Sequence, residues 1–505
     1  MKCRANVAVL LWGRISIFEQ RIGGPESKKE GMNNCCIATV PPDSSFKAFA
    51  HPVLDWKARL TAGLNRSLQA SDHTLGHIEE EIAHKTRDLE RALAQEAAQK
   101  KADRVPPTCP LCEAKLTRVT HGHQRPVQTR FGPIQLQRTR GWCRRCKEWR
   151  FPADHALGIA EPGTASPSVQ EMAALVGSKM PMTEASAVIQ RLTGVELPPA
   201  TLDREARRQG QRAEEKRGEL DERMRTAQGQ QQTQPLEHQT EPFTLIIEID
   251  AWNIRERDDW GKSGKKRAAG QEPQRWHWVY AATCFRLDQR VRTAGDRPLL
   301  LSRGTVMTRQ GLDALREQLF AEAMRHGLAK AAKVLVVADG ALWIWNLVLD
   351  RFERADQRLD LFHAKEHLWA VARELHPEDE AAASGWVKPL LKDLERDRGA
   401  QVIGSLKTLA KRVRGQRREA VQKEIHYFGA NLHRMKYREG ARRGEPLGSG
   451  AIESTCRQYQ CRFKRPGQFW TSVGDEALMC LETFWRNGRW QILFPHITHC
   501  DPSKN

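Results

Sequence analysis

Polar and apolar residues change rhythm several times along this chain, and each rhythm predicts a different kind of element. Residues 54–101 are helical in pattern. The run IEEEIAHKTRDLERALAQEAAQKK is rich in strong helix formers and sets opposite charges four residues apart, until Pro106 and Pro107 stop it. From Cys109 to Phe151 the pattern is strand-like, and PVQTRFGPIQLQRTRGW reads as two strands turning at Phe131-Gly132-Pro133. Short helices are expected between Ser166 and Arg225. Among them, TEASAVIQRLTGVELPPATLDREARRQGQR holds two helical patterns around a turn from Gly194 to Pro199. This has the form of a helix-turn-helix, with Thr201 capping a second helix that exposes Arg204, Arg207 and Arg208. Two packed helices without any DNA contact fit the same pattern. The Gln-rich stretch Ala227 to Pro242 has no hydrophobic period and reads as a linker.

Beyond the linker the rhythm shortens. PFTLIIEID predicts a buried strand, and RWHWVYAATCF and RPLLLSRGTVMT predict one more each. GLDALREQLFAEAMRHGL is an amphipathic helix, AAKVLVVADG an apolar strand ending in Asp-Gly, and ALWIWNLVLDRF an apolar helix. RLDLFH reads as a shorter strand running into the helix AKEHLWAVAREL. The order β-β-β-α-β-α-β-α predicts a mixed α/β sheet. No internal repeat of solenoid length is present.

Composition narrows the class. A chain of 505 residues accommodates two or three domains, and 40% hydrophobic with 28% charged residues is a globular mixture. The formal charge of +19 favours a polyanion, since neutralising phosphates releases condensed counterions. No stretch approaches the ~20 apolar residues that span a bilayer. The opening run VAVLLWGRISIF is broken by Gly13 and Arg14 and lacks a cleavage site, so it is not expected to be a secretory signal. No steady period marks the residues before Phe49, and Met32 offers an alternative start.

Four of the twelve cysteines form two C-x-x-C knuckles, Cys109/Cys112 and Cys143/Cys146. Each such turn sets two thiolates on one side of a bend, and two bends complete the tetrahedral site that zinc prefers. Little else between Cys109 and Arg150 could form a core, so structural zinc is expected to supply the folding energy of a ribbon. His121 and His123 are substitute ligands that four cysteines make unnecessary. Ten Lys/Arg against two Asp/Glu in the same segment suggest that the ribbon lies on phosphate backbone.

Two acidic residues fall where an apolar strand is expected to end: Asp250 after LIIEI and Asp339 after VLVVA. A carboxylate there is costly unless it is paired, caps a turn or binds metal. If the first and fourth strands are parallel neighbours, the two carboxylates converge about 5 Å apart. Two divalent ions so held would activate a nucleophile and stabilise a leaving oxygen at phosphorus, work suited to magnesium. Such a site needs a third carboxylate, and pattern alone leaves Glu248, Asp258, Asp259, Asp360, Glu366 and Glu453 open.

The segments IEIDAWNIRERDDWG, VLVVADGALWIWNLV, LDLFHAKEHLW and GEPLGSGAIESTCRQYQCRFKRPGQFW together resemble the DDE transposases of bacterial insertion sequences. The ISKra-type enzymes are nearest and the ISLre-type more distant. The likeness runs from about Cys109 to Phe494. It implies Asp250 and Asp339 as the two catalytic aspartates and Glu453 as the closing glutamate. It also implies that these three hold two Mg2+ or Mn2+ ions in a ribonuclease H-like fold with an all-helical insertion before the last helix. Asp360-Leu361-Phe362-His363 resembles a D-x-x-H step that brings His363 near the scissile phosphate. Twelve Lys/Arg against three Asp/Glu between Gly404 and Gly444 mark a basic face, continued by Arg457, Arg462, Lys464 and Arg465. That face is expected to touch DNA, whereas Phe469, Trp470, Trp485 and Trp490 are expected in the core.

The expected organisation is an extension (1–50), a helical region (51–105), a zinc ribbon (106–151), a helical DNA-binding region (152–226) and the linker (227–242). A catalytic core (243–375) follows, then a helical insertion (376–445), closing helices (446–495) and a tail (496–505). The expected protein is a transposase of the bacterial cytoplasm, associated with the nucleoid. It binds double-stranded transposon ends and target, works as a homodimer or larger assembly on DNA, and does not enter a membrane. A zinc-ribbon regulator, a nuclease without strand transfer and an inactive remnant are the competing readings.

Overall fold

The structure, a computed structural model, describes residues 46–160, 163–233, 241–257, 263–270, 276–296 and 298–496. Most of the expected extension, Asp258, Asp259, part of the linker and nearly all of the tail lie outside these. The unit Trp56–Asn505 holds every described strand.

The helical pattern of residues 54–101 forms two helices, α1 (Phe46–Gln69) and α2 (Leu75–Asp103), rather than one. Ser71-Asp72-His73-Thr74 breaks the run, and His77 Nδ1 accepts the Thr74 N–H at 3.0 Å to start α2. Strands β1 (Thr117–Thr129) and β2 (Gly132–Cys143) are antiparallel, with β3 (Glu148–Arg150) pairing the end of β2. Helix α2 lies along the remaining edge of β2. The Gln95 amide donates to Gln135 O (2.7 Å) and accepts from Gln135 N (2.8 Å). Gln99 does the same at Gln137, at 3.0 and 2.9 Å. Glutamines four apart on a helix thus match residues two apart on a strand.

Three helices follow: α3 (Pro167–Lys179), α4 (Met182–Thr193) and α5 (Pro199–Arg223). Pro198, not Thr201, is the cap of α5, because Pro199 presets the first helical φ. At 25 residues α5 is far longer than a recognition helix needs to be, and its small residues are committed elsewhere. A Cβ on Gly210 would stand 2.5 Å from Ala477 O, so α5 meets α13 (Ser472–Arg486) backbone to backbone. Part of the expected linker is also helical: Ala227–Thr233 forms a short helix started by Thr226, whose Oγ1 accepts the Gly229 N–H at 3.1 Å.

The mixed α/β expectation holds. Strands β4 (Thr244–Arg255), β5 (Trp276–Arg286), β6 (Gly304–Thr308), β7 (Lys333–Ala338) and β8 (Asp356–Leu359) form one sheet in the order β8-β7-β4-β5-β6. β4 is parallel to β7 and antiparallel to β5. The single strand expected over RPLLLSRGTVMT is two. Pro298–Leu300 pairs with Arg290–Arg292 in a separate hairpin, and only β6 joins the main sheet. Helices α6 (Leu312–Arg325) and α7 (Leu342–Arg351) cover one face through Leu315, Leu319, Ile344 and Val348 against Ile247, Ile249 and Val336. The other face packs Trp252, Ile254 and Val279 against α12 (Gly450–Phe463) and α13.

After β8 the chain enters α8 (Leu361–Leu375), followed by α9 (Glu380–Glu395), α10 (Gly399–Arg412), α11 (Gly415–Ala430) and the short helix Tyr437–Arg442. Val387, Leu394, Val402, Leu406 and Phe428 give this block its own core. RLDLFH is strand only as far as Leu359. Asp360 caps α8 by accepting the His363 N–H at 2.8 Å, so the D-x-x-H spacing here is that of a helix cap.

A buried ion cluster ties the sheet to the chain's last segment. Glu322 on α6 is 2% exposed and accepts both Arg489 guanidinium nitrogens at 2.7 and 2.6 Å, with Arg325 Nη1 at 3.1 Å. Burial opposes its ionisation, but these guanidinium groups and His326 prevail and hold its carboxyl down at about 2. Its stabilising contribution is therefore full above the unfolded pKa and is lost as pH falls through about 2. Glu322→Gln is expected to cost about 3–5 kcal/mol at neutral pH by leaving Arg489 without its carboxylate, while Arg325 keeps Asp221. Urea unfolding at pH 7 and near pH 2 checks this, since the gap between variant and parent should close in acid.

Candidate functional site

The two knuckles bring their sulfurs together. Sγ–Sγ separations are 3.8 Å for Cys109–Cys146 and 3.5 Å for both Cys112–Cys143 and Cys112–Cys146. A zinc ion about 2.3 Å from each of four tetrahedral sulfurs requires separations of about 3.8 Å, so the cluster fits. Each knuckle turns through a residue with positive φ, Glu113 (60°) and Lys147 (55°). Burial opposes ionisation of Cys109, yet N–H groups of Leu111 and Cys112 and the neighbouring thiols bring it down to about 6. Cys146 goes the other way, pushed up to about 12 by the Cys112 sulfur and by burial. His121 and His123 are not in the cluster; they meet Thr139 and Thr120 on the hairpin instead. Arg144, Arg145 and Lys147 stand exposed around the second knuckle, while Arg125 and Arg138 are committed to the buried Asp154.

On β4, Glu248 and Asp250 lie two residues apart and so share the sheet face that α12 covers. Asp250 does not end its strand. β4 continues to Arg255 against β5 because Trp252 and Ile254 keep up the inward alternation. It is the parallel neighbour β7 that stops: Ile249 pairs with Ala338, and Asp250 and Asp339 come next on the two strands, about 5 Å apart between backbones. Asp339 Oδ1 accepts the Ala341 N–H at 2.9 Å, which leads the chain into α7.

Helix α12 lies across this face. The Ile452 N–H donates to Glu248 Oε2 at 2.8 Å, and Glu453 follows with its side chain 44% exposed. Burial, with the Asp339 charge adding to it, pushes the Asp250 carboxyl up against the opposing Ala251 N–H and Cys456 thiol. Glu453 is raised by burial and then by Asp360 and Asp250, with Arg457 at 3.6 Å opposing. Glu248 is pushed up to about 8, chiefly by complete burial. Asp360 accepts from Ser449 Oγ at 2.6 Å and so ties the start of α8 to the turn before α12. Hard oxygen donors that crowd one another in this way suit a divalent cation. Among the described residues, however, only the four cysteines gather three or more ligand atoms within 4.8 Å; the carboxylates are spread more widely.

The helical block closes the far side. Tyr427 on α11 stacks on His367 at 3.8 Å, and His367 Nδ1 lies 2.6 Å from Glu424 Oε2. His363 meets His367 edge-on at 5.3 Å and lies 3.6 Å from Glu366. The His363–His367 spacing is one helical turn and was visible in the sequence. Glu424 and Tyr427, some sixty residues later, were not. Gly340, at φ +70°, leaves room for this lid, since a Cβ there would stand 2.6 Å from Tyr427 Cε2. Gly340→Ala is expected to cost about 1–3 kcal/mol, from left-handed strain and from displacement of the ring. Thermal unfolding reads that loss directly.

The cations expected to meet DNA divide. Arg204, Arg457 and Lys464 are exposed. Arg462 is not: it is 5% exposed, and its Nη2 donates to Gly177 O at 3.1 Å, so it joins α12 to α3 instead of facing phosphate. Arg207 donates to Thr471 Oγ1 (2.8 Å), Arg208 to Glu205 (2.5 Å) and Arg465 to Glu184 (2.8 Å). The Arg207 and Arg465 contacts hold α5 and α4 to the segment between α12 and α13, while the Arg208 contact lies within α5. Trp470 and Trp490 are buried as expected, at 6% and 1%.

The fold and site together define a mixed α/β protein that combines a four-cysteine cluster able to hold zinc with a carboxylate-bearing sheet face beneath a helix. A distant relative is the "UPF0236 protein in vanSb 3'region" of Streptococcus gallolyticus, 25% identical over 382 residues, covering 73% of this chain and 74% of that protein. No family model matches the chain. Among the described residues, no helix is long and apolar enough to cross a membrane.

Proposed function

We propose that the protein is a DDE-type DNA transposase whose sheet domain is ribonuclease H-like and whose zinc ribbon and basic surfaces grip double-stranded transposon ends. One observation carries this reading: Asp250 and Asp339 stand side by side on adjacent parallel strands, and α12 sets Glu453 over the same face. Two magnesium or manganese ions about 3.5–4 Å apart would supply Lewis acidity at the scissile phosphate and at the attacking oxygen. Asp250, Asp339 and Glu453 would hold them. Asp360 positions His363 at the rim by capping α8, and Glu248 anchors α12 through Ile452. The exposed Arg457 and Lys464 lie on the DNA side of α12 in this reading, and two copies would hold two ends.

The test is a cleavage and joining assay with magnesium or manganese on duplex DNA carrying the gene's own flanks. Cut and joined products are expected. Binding to the flanks without cutting would favour a zinc-ribbon regulator or an inactive remnant, and cutting without joining would favour a nuclease.

A further inference from the structure

Past Ala251 and Tyr280, helices α6 and α7 no longer cover the sheet among the described residues, yet β4 and β5 run on together to the Arg255–Trp276 pair. Alternation places Trp276 and Trp278 of β5 on the stretch this leaves open, opposite Arg255 and Asn253 of β4, with Tyr280 opposite Ala251 at its covered end. Trp276 and Trp278 are each 54% exposed, an unusual state for two indoles on one strand. Arg255 is exposed and lies 5.9 Å from the Trp276 ring and 4.9 Å from the Phe469 ring. At the other end Tyr280 meets Trp343 edge-on at 5.3 Å. The result is one line of rings with a guanidinium at its head.

We infer that this face is a stacking platform for unpaired nucleotides. Large π-faces interleaved with arginine fit bases joined to phosphates, and the chain's charge of +19 suits the same occupant. The i,i+2 spacing of the indoles, about 7 Å, is twice the ~3.5 Å contact distance between stacked rings, so one base fits between them. Asn253, opposite Trp278, is three residues along β4 from Asp250, an odd offset that puts the platform on the opposite sheet face from the carboxylates. The platform is therefore a separate contact for an unpaired strand and not a continuation of the carboxylate site. It rests on the proposed function only for the reason such a strand is present.

The experiment uses the full chain and two fluorescent probes: an oligothymidylate of about twelve nucleotides and a blunt duplex of the gene's flank. Anisotropy titration of wild type, of Trp276→Ala/Trp278→Ala and of Trp276→Phe/Trp278→Phe is expected to show a selective effect. The alanine pair should weaken oligothymidylate binding at least about tenfold, leave duplex binding unchanged, and be largely rescued by the phenylalanine pair. Failure of wild type to bind oligothymidylate, or equal binding by the alanine pair, would overturn the inference. So would a change in oligomeric state of the alanine pair on sizing, which would make the patch an interface between copies. Failure of cleavage with oligothymidylate binding intact would count against the catalytic reading alone.

Discussion

Asp250→Asn, Asp339→Asn and Glu453→Gln are each expected to lower metal-dependent cleavage and joining by about a thousandfold or more, on the order of 4 kcal/mol of transition-state stabilisation. The substitutions keep side-chain volume and hydrogen-bonding capacity but remove the charge that would hold a cation. Folding should not suffer. The Asp250 and Glu453 carboxyls are both raised by burial and by neighbouring acids, so each removal relieves repulsion in the metal-free protein. Melting temperature in chelator-treated buffer is thus expected to hold steady or rise while activity disappears. A variant that loses activity only in proportion to its loss of folded protein would remove that carboxylate from the proposed site.

Zinc removal is the second large effect. Purified protein is expected to contain one zinc per chain, and Cys109→Ser or Cys143→Ser to contain little. Structural zinc contributes about 10–16 kcal/mol in small zinc-folded units. The ribbon's other apolar contacts are few: Val127, Ile134 and Leu136 on the hairpin, and Leu116 beside the cysteines. Chelation should therefore open residues 109–150 to protease while the sheet domain, with its separate cores, stays resistant. Binding to flank DNA should fall with the ribbon, through loss of the surface bearing Arg144, Arg145 and Lys147. Metal analysis near zero on fully folded, DNA-binding protein would refute the zinc assignment.

How far the sequence could be read depended on how local each signal was. The C-x-x-C knuckles, the apolar strands and the helical pattern after Leu375 are written within short stretches, and the structure has strands and helices there. Asp250 and Asp339 stood out because a carboxylate is unusual at the edge of an apolar run. The same cue misplaced the end of β4, since only the unseen neighbour β7 stops at that level. Arg462 shows the opposite limit. Charge grouped it with Arg457 and Lys464, whereas its place three residues after Tyr459 sets it on the buried stripe of α12, where it ties to Gly177. Long-range pairings such as His367 with Glu424, or Glu322 with Arg489, leave no trace in any window of sequence.

The glutamine pair on α2 bears on how the zinc hairpin finds its alignment. β1 and β2 are polar over much of both faces, and their pairing shifts between Thr117 and His123, so side-chain burial alone defines the match weakly. Gln95 and Gln99 each donate to and accept from one residue of β2, and a slip of one residue would forfeit all four bonds. The helix thus acts as a gauge that fixes the register of β2. It also caps a row of backbone groups that could otherwise recruit a strand from another molecule. Glutamate or lysine at these positions would supply only half of each exchange, so Gln95→Glu/Gln99→Glu should yield a ribbon that still binds zinc but self-associates.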